Sequence, residues 1–215
     1  MRDFVCSLLL AASFVALMGC GQETGDTYQE SVRAGLDAER VDSIMEGITF
    51  GMTREEFHEL ASRGNREERY TNGTGTSIRM DLPEGYFESG GFIDFFPLFE
   101  DDRVSGVFGR IFTNDWAPWN RASHADSLLF RSLDFYEALF PGEPFVRYED
   151  THRPTFYKID GNRRVILYPH RLRYVSFEVD DLSTADEKVL SGEDLRNPED
   201  PFYLKMPEPT ASTQE

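Results

Sequence analysis

Few residues of this chain have the types and spacing that catalysis or metal binding requires. No histidine has a second ligand three or four positions along the chain, as a helical metal site would need. Ser105 has Arg103 where a nucleophile elbow needs a glycine. The acidic run at residues 100–102 lacks the ligand spacing of a calcium loop. We therefore expect no catalytic site, no metal site and no cofactor. The histidines considered are His58, His124, His152 and His170.

Covalent chemistry is indicated at one residue, Cys20, which ends the box Leu17-Met18-Gly19-Cys20. The apolar run before it, residues 4–18, is shorter than the about 20 residues of a membrane-spanning helix and suits a secretory signal. The box resembles the cleavage site of bacterial lipoprotein signal peptidase, which acts after the cysteine thiol has received a diacylglycerol group. This resemblance implies cleavage between Gly19 and Cys20, with acyl chains on Cys20 as the membrane anchor. An ordinary signal peptide and a short membrane helix are the alternatives.

The residues around this box also bear on redox chemistry and location. The only other cysteine, Cys6, lies in the segment that would be removed, so the mature chain has no free thiol and no disulfide. Gly21 follows Cys20, in place of the aspartate that retains some lipoprotein precursors at the inner membrane. We therefore expect a lipid anchor in the outer membrane, with the protein facing the periplasm or the cell surface.

The net charge of −17 is concentrated at the two ends of the chain. Residues 21–60 carry ten Asp and Glu against three Arg, and residues 181–215 carry nine against three Lys and Arg. A nucleic-acid-binding protein needs a basic patch or stripe, which this distribution does not provide. The expected partners are the membrane, through the lipid, and an envelope protein, with no nucleic acid.

Hydrophobic periodicity divides the chain into four parts. Residues 1–19 are the signal peptide, and residues 20–40 read as a flexible tether in which a short helix over 28–37 is possible. Residues 41–180 alternate between helix and strand patterns and form the globular domain. Residues 181–215 are acidic and proline-bearing, which indicates a disordered tail with a possible short helix near 183–190.

The clearest local pattern in the mature chain begins a helix at Thr53. Thr53 and Glu56 have the spacing of a capping box, in which each side chain satisfies a backbone N–H of the other's turn. Met52 and Phe57 have the spacing of a hydrophobic staple around this cap. Gly64 is the predicted C-terminal stop, which gives a helix of about ten residues. A second helix is predicted from about Ser123 to Phe140.

Strand patterns follow each helix. The segments 76–82, 91–99 and 103–112 come after the first helix, and 155–159, 163–168 and 171–179 come after the second. Glu100-Asp101-Asp102 and Asp160-Gly161 are the predicted hairpin turns. The pattern predicts an α+β fold with antiparallel strands and helices packed on one face. It leaves open two duplicated α-then-β units, 48–112 and 122–180, or a single sheet.

The first of these units resembles the BamE (SmpA) family of small outer-membrane lipoproteins. The similarity is carried by Ile48-x-x-Gly51-Met52-Thr53-x-x-Glu56 and by the hairpin ending in Asp101-Asp102-Arg103-Val104. It covers residues 44–112. The resemblance implies a lipid-anchored scaffold in the assembly of the envelope or of outer-membrane proteins.

Two groups of residues are candidates for partner binding. Trp116 and Trp119 flank Pro118 in a loop, where exposed aromatic rings often anchor a partner; the alternative is that both rings cover the core. Four arginines surround the second hairpin and could receive an acidic partner or the acidic tail of the chain. Cross-strand pairing with carboxylates is the other interpretation. The arginines are Arg163, Arg164, Arg171 and Arg173.

These observations favour a lipid-anchored protein of the bacterial envelope that acts as a non-enzymatic interaction or scaffold module. A solute- or peptide-binding lipoprotein is the alternative, with an aromatic cleft built from Phe87, Phe92, Trp116 and their neighbours. This alternative requires a deep apolar pocket. A hydrolase is the least supported reading, because no nucleophile, base or metal set can be assembled.

Overall fold

The computed structural model describes residues 24–73, 77–149, 151 and 153–198. Their eight strands form one antiparallel sheet in the order β1-β2-β3-β4-β8-β7-β6-β5, which confirms the predicted α+β class. The strands are β1 Thr71–Asn72, β2 Ile78–Asp81, β3 Gly91–Glu100, β4 Arg103–Thr113, β5 Val146–Tyr148, β6 Thr155–Asp160, β7 Arg163–His170 and β8 Tyr174–Asp181. The helices are α1 Thr24–Asp37, α2 Arg54–Arg66, α3 Ala125–Leu139, α4 Glu187–Ser191 and α5 Glu193–Arg196, with a 3-10 turn at Arg121–Ser123.

The sheet order has the symmetry of two successive α-then-β units. Strands β1–β4 follow α2 and strands β5–β8 follow α3, and each set is an antiparallel meander. The last strands of the two meanders, β4 and β8, pair at the centre of the sheet, with Gly106 opposite Asp180 and Ile111 opposite Val175. The strands that follow the two helices therefore belong to one single sheet.

One face of the sheet, here called the inner face, carries the main hydrophobic core. Side chains at alternate positions of the strands point into it, including Phe95, Val107 and Phe177, each fully buried. Helices α2 and α3 cover this face, because their apolar residues recur at helical spacing and belong to the same cluster. The helical contributions to the cluster are Phe57, Leu60, Leu128, Leu129, Phe135 and Tyr136.

The opposite face, called the outer face, is covered by helices over strands β5–β7. Tyr28 and Val32 of α1 pack with Ile166 of the sheet and with Leu195 of α5 in a second apolar cluster. The two predicted helices, α2 and α3, therefore lie on one face as expected, and helices α1, α4 and α5 add cover on the other face. The apolar residues of α1 are four positions apart, and those of the C-terminal segment are separated by polar residues. They form one apolar surface only after the sheet has formed.

The predicted boundaries of the globular domain, at residues 41 and 180, both move outward because helices beyond them pack on the sheet. The flexible tether predicted for residues 20–40 is wrong from Thr24 onward, where α1 places Tyr28 at 0 % exposure. The disordered tail predicted from residue 181 is wrong up to Pro198, since Leu182 and Leu195 are buried and α4 and α5 lie between them. Gly19, Cys20 and the remaining parts of the signal segment and of the tail lie outside the described residues.

Local turn chemistry gives a mixed result. The capping box at Thr53 and Glu56 is formed as predicted, and Asp101 and Asp102 both have positive φ in the β3–β4 turn. Helix α2 continues past Gly64, which was expected to end it, to Arg66. Gly64 is buried within the helix because the ring of Tyr70 packs where a Cβ would be.

The β6–β7 turn lies one residue later than predicted. Asp160 pairs with Arg163 in the ladder, so Gly161 and Asn162 make the turn instead of Asp160-Gly161. The side chain of Asn162 fixes this register by donating to Asp181 at 2.8 Å, while its oxygen accepts from the N–H of Val41 at 2.7 Å. These two contacts are remote in sequence and outweigh the local preference for an Asp-Gly turn.

Candidate interaction surface

Four rings lie side by side on the outer face across strands β3, β4, β8 and β7. Phe92 and Phe112 are direct cross-strand partners whose rings stack with centroids 4.9 Å apart. The Phe112 ring contacts Tyr174 at 5.2 Å, and Tyr174 stacks on His170, also at 5.2 Å. We call these four residues the aromatic row. Stacked and tilted ring pairs of this kind stabilise a sheet beyond the area they bury.

An arginine extends the aromatic row to a fifth strand. The guanidinium of Arg79 on β2 lies 3.7 Å from the centroid of the Phe92 ring. It also forms a two-point ion pair with Asp94, at 2.7 and 2.9 Å. The hydrogen bond to Asp94 raises the pKa of Arg79 above its usual value. The charge is therefore held over the ring, which is the geometry of a cation–π contact.

A second arginine lies beneath the middle of the row. Arg110 of β4 has its guanidinium 4.6 Å from the Tyr174 ring and 5.6 Å from the Phe108 ring. Phe108 in turn packs against Phe96 of β3 at 5.5 Å. Tyr174 and Phe108 are buried, whereas the two phenylalanines of the aromatic row are partly exposed. The buried rings thus support the ones that reach the surface.

The tryptophan loop, residues 114–120, follows β4 and begins two residues after Phe112 of the aromatic row. The indole Nε1 of Trp116 donates to the carbonyl oxygen of Leu172, at 3.0 Å, in the turn between β7 and β8. The same carbonyl accepts from the N–H of Ala125 at 3.2 Å. Trp116 is partly exposed and Trp119 is 85 % exposed. The two tryptophans therefore do not both cover the core.

Two of the four predicted arginines lie beside this loop. Arg171 and Arg173 belong to the exposed β7–β8 turn. The guanidinium of Arg173 lies 5.3 Å from the Trp116 ring and 6.0 Å from the Phe112 ring. The structure thus brings together Trp116, Arg171 and Arg173, and joins them to the aromatic row.

The other two predicted arginines lie at the opposite end of β7, about 23 Å away at 3.3 Å per residue. Arg163 donates to the carbonyl of Ser43 at 3.0 Å and pairs with Asp160 at 3.1 Å. The side chain of Arg164 is 1 % exposed and pairs with Asp180 and Asp194, each at 2.7 Å. Arg164 thus receives both a cross-strand carboxylate and an acidic residue of the C-terminal segment. Both arginines are internal, so neither is a partner contact.

The Arg164 ion pairs belong to a buried polar cluster beneath α1 and α5. Tyr28 accepts from Arg164 at 3.1 Å and donates to the carbonyl of Val189 at 2.8 Å. Burial raises the pKa of Tyr28 to about 12 and raises the pKa of Asp194 as well. This cluster therefore connects the sheet to α1, α4 and α5, the helices that cover the outer face.

Glu178 lies at the border of the same cluster. It accepts a hydrogen bond from the Tyr168 hydroxyl at 2.6 Å. Burial, and then the charge of Asp180, raise the pKa of Glu178 to about 8. A carboxyl group that is protonated near neutral pH makes the stability of this region depend on pH.

The aromatic cleft predicted for the alternative function does not assemble from its three named residues. Phe87 is buried in the core of the inner face, while Phe92 lies on the outer face. Two grooves on the described residues, of about 700 and 280 Å³, are lined mainly by charged side chains, the larger by those of α2 and the smaller by those near strands β1 and β2. Neither groove is an apolar pocket.

The residues considered for catalysis lie apart. Ser105 donates to the carbonyl of Leu98. His58 is on α2, His124 precedes α3 and His170 ends β7, while His152 lies outside the described residues. In the part of the chain that the structure describes, no three acidic, histidine or cysteine side chains are grouped to hold a metal ion. None of the described helices has the length and apolarity needed to cross a membrane.

Sequence reasoning missed much of the aromatic row. Phe92 was considered only for a cleft, and Arg79, Phe112 and Tyr174 were not considered. A usable indication was present, because Phe92 and Phe96 occupy the strand face opposite to the core positions Ile93 and Phe95. Large aromatic side chains on both sides of a strand indicate that both faces of the sheet make apolar contacts.

Comparisons with protein-family models, with curated proteins and with solved structures find no match to this chain. The resemblance of residues 44–112 to the BamE family and the lipoprotein signal therefore stay predictions.

Proposed function

We propose that this chain is a bacterial lipoprotein that is held in the envelope by acyl chains on Cys20 and binds an envelope protein without catalysing a reaction. The contact surface in this proposal consists of the aromatic row, Arg79, and the neighbouring Trp116 and Arg173. The outer membrane is the favoured location. The scaffold role implied by the BamE resemblance is of this class.

The observation that carries the proposal is the continuous row of rings and guanidinium groups across five strands, from Arg79 to His170. Aromatic residues and arginine are enriched at protein interfaces and dominate their binding energy. Packing against neighbours fixes these side chains before a partner arrives, so little side-chain entropy remains to be lost on binding.

The chemistry of the surface also indicates the kind of partner. Arg173 makes its described contacts with the rings of Trp116 and Phe112. Its charge therefore supports recognition of a carboxylate next to an apolar side chain. A protein surface with an aromatic or aliphatic residue flanked by acidic residues fits this arrangement.

The proposal is tested by cross-linking the intact acylated protein in cells, purifying it and identifying the proteins that come with it. We expect one envelope protein to be enriched. Arg79→Ala and Phe112→Ala should each weaken its binding about tenfold, which corresponds to roughly 1.4 kcal/mol. Phe130→Ala is the matched control, because Phe130 is a 54 % exposed aromatic residue on α3, outside the aromatic row.

Two outcomes count against this proposal. Recovery of a small molecule with no protein partner would exclude the scaffold function. Equal loss of binding in the Phe130 variant would remove the aromatic row as the contact surface. The anchor is tested separately by Cys20→Ser, which should release the protein from the membrane fraction.

A further inference from the structure

We propose that the tips of the tryptophan loop and of the β7–β8 turn, at Trp119 and Leu172, rest on the phospholipid surface of the membrane that holds the acyl anchor. The insertion residues are Trp119 and Leu172, and Arg173 lies beside them. This inference rests on the acylation of Cys20 in the proposed function. It adds a second contact with the membrane and a fixed orientation of the domain.

The argument begins with exposure. Trp119 is 85 % exposed and Leu172 is 59 % exposed, which are the two highest values among the exposed large apolar residues of the described chain. They lie on adjacent segments, since Trp116 of the loop donates to the carbonyl of Leu172 at 3.0 Å. Exposed apolar side chains that share one site indicate a contact surface.

The backbone beneath these side chains is held in place. The Leu172 carbonyl also accepts from the N–H of Ala125 at the start of α3. Within the loop, the Asn120 amide donates to the Asp115 carbonyl at 3.1 Å. Trp119 therefore lies on a loop that hydrogen bonds hold in one conformation. Tryptophan is the residue that is enriched at membrane–water interfaces, where its ring is buried at the level of the head groups.

The direction of α1 places the anchor at the same end of the sheet. Gly35 lies against the β6–β7 turn, since a Cβ on Gly35 would be 2.5 Å from the Gly161 carbonyl oxygen. Tyr28, two turns earlier, contacts Tyr157 in the middle of β6 and Tyr148 at the end of β5. Helix α1 thus runs along β6, and its N-terminal end lies toward the end of the sheet where β6 begins.

That end of the sheet is also the end that carries the tryptophan loop. Phe156, near the start of β6, pairs with Leu167, three residues before the end of β7, and the β7–β8 turn comes next. Strand β4 ends there too, because Ile111 is opposite Val175 near the start of β8. Strands β6 and β4 are three strand spacings apart, about 14 Å.

Covalent geometry then fixes how far the anchor can lie from this end. Cys20 is four residues before Thr24, so these two residues can be at most about 14 Å apart. An acylated Cys20 would therefore hold this end of the domain against the bilayer surface. A protein partner could reach Trp119 only by entering the space between the domain and the membrane, so the observations favour the lipid surface as the occupant.

The test uses the acylated full chain in vesicles of phosphatidylethanolamine and phosphatidylglycerol, with lipids brominated along the acyl chain as quenchers of tryptophan fluorescence. We expect quenching and a blue shift of the emission maximum. Trp119→Phe should lose most of the quenching, and Trp116→Phe should retain it. Emission that is the same with and without bromine would overturn the proposal.

A second measurement does not depend on tryptophan. The mature chain has no cysteine besides the acylated one, so Leu172→Cys can carry a single environment-sensitive label. The label should report an apolar environment in vesicles. Asp101→Cys, in the exposed turn at the opposite end of the sheet, is the control and should report water. Equal signals at the two positions, or cross-linking of Trp119→Cys to a protein in cells, would overturn the lipid assignment.

The two failures are distinguishable. If Cys20→Ser leaves the protein in the membrane fraction, the acyl anchor of the proposed function is wrong. If that variant is released while Trp119 of the acylated protein is not quenched, only the docking inference is wrong.

Discussion

Tyr136 of α3 shows how a single atom can oppose the stability of the core around it. The side chain is fully buried, and its hydroxyl has no hydrogen-bond partner among the residues that the structure describes. Burial raises the pKa of Tyr136 well above its usual value. Its ring packs on Phe140 and Phe177, so the ring contributes apolar contacts while the hydroxyl carries a desolvation cost.

We therefore predict that Tyr136→Phe leaves the free energy of unfolding unchanged or raises it by about 1 kcal/mol. Tyr28→Phe is the matched comparison, because the Tyr28 hydroxyl donates to Val189 and accepts from Arg164. This variant should lose about 1–3 kcal/mol, since it leaves buried partners unsatisfied. Urea unfolding of both variants measures the difference. A destabilised Tyr136→Phe would mean that its hydroxyl has a partner.

The sequence predicts contacts between residues that are close along the chain, but not contacts between residues that are far apart along it. The Thr53–Glu56 cap could be predicted because both groups belong to one helical turn. The burial of Arg164 could not, because one of its carboxylates, Asp194, is thirty positions away in a segment with a disordered composition. Only the position of α5 against β7 brings these charges together.

At the scale of single elements, α2 is the clearest example of packing that overrides a local preference. A glycine near the C-terminus of a helix usually ends it, but Gly64 is followed by two more helical residues. Its carbonyl accepts from the N–H groups of Arg69 and Tyr70, and the Tyr70 ring covers its Cα. The glycine therefore permits the close approach of the chain that returns from the helix.

This packing gives a prediction that is opposite to helix propensity. Gly64→Ala should gain about 1 kcal/mol from propensity, but the new methyl group meets the Tyr70 ring. We expect a net loss of about 1–3 kcal/mol in the free energy of unfolding, as for other overpacked sites. Thermal unfolding measures it. Ser62→Ala, at an exposed position of the same helix, serves as the control and should not destabilise. Stabilisation of both variants would contradict the packing argument.

The two flanking elements, α1 and α4–α5, show why the ends of the domain were hard to predict. Tyr28 and Val32 are one helical turn apart, and so is Leu36, but this apolar stripe is narrow and lies in acidic sequence. Tyr28 and Val32 become buried only because Tyr148, Tyr157 and Ile166 provide a complementary surface on the sheet, while Leu36 stays exposed. The turn signal at Asp160-Gly161 did predict strands β6 and β7 on either side of it, but not that helices from both ends of the described chain would cover them.

At the scale of the whole molecule, a buried cluster of ionisable groups joins the two ends of the described chain to the sheet. Glu178 faces Tyr168 and is near Asp180, Asp194 and Arg164. Because its pKa is raised from about 4.5 to about 8, the folded chain binds a proton that the unfolded chain releases. The stabilisation from this group is complete below about pH 4.5 and is lost as the pH rises through about 8.

We therefore predict that the free energy of unfolding of the wild type falls between about pH 5 and about pH 9, and that Glu178→Gln makes this fall smaller. The amide keeps the acceptor for Tyr168 and does not ionise. Urea unfolding at a series of pH values measures the slope. Glu100→Gln, at an exposed acid that ends β3, should leave the slope as it is. If the free energy of unfolding depends on pH equally in all three proteins, Glu178 is not the source of that dependence.

The central pairing of β4 with β8 has a consequence for how molecules of this protein behave next to one another. Because the long strands pair in the middle, the two outermost strands are the shortest, β1 with two residues and β5 with three. Free strand edges recruit further strands from neighbouring molecules, and short edges offer few places to begin. Neighbouring copies of this domain at high concentration would therefore stay separate instead of joining into fibrils.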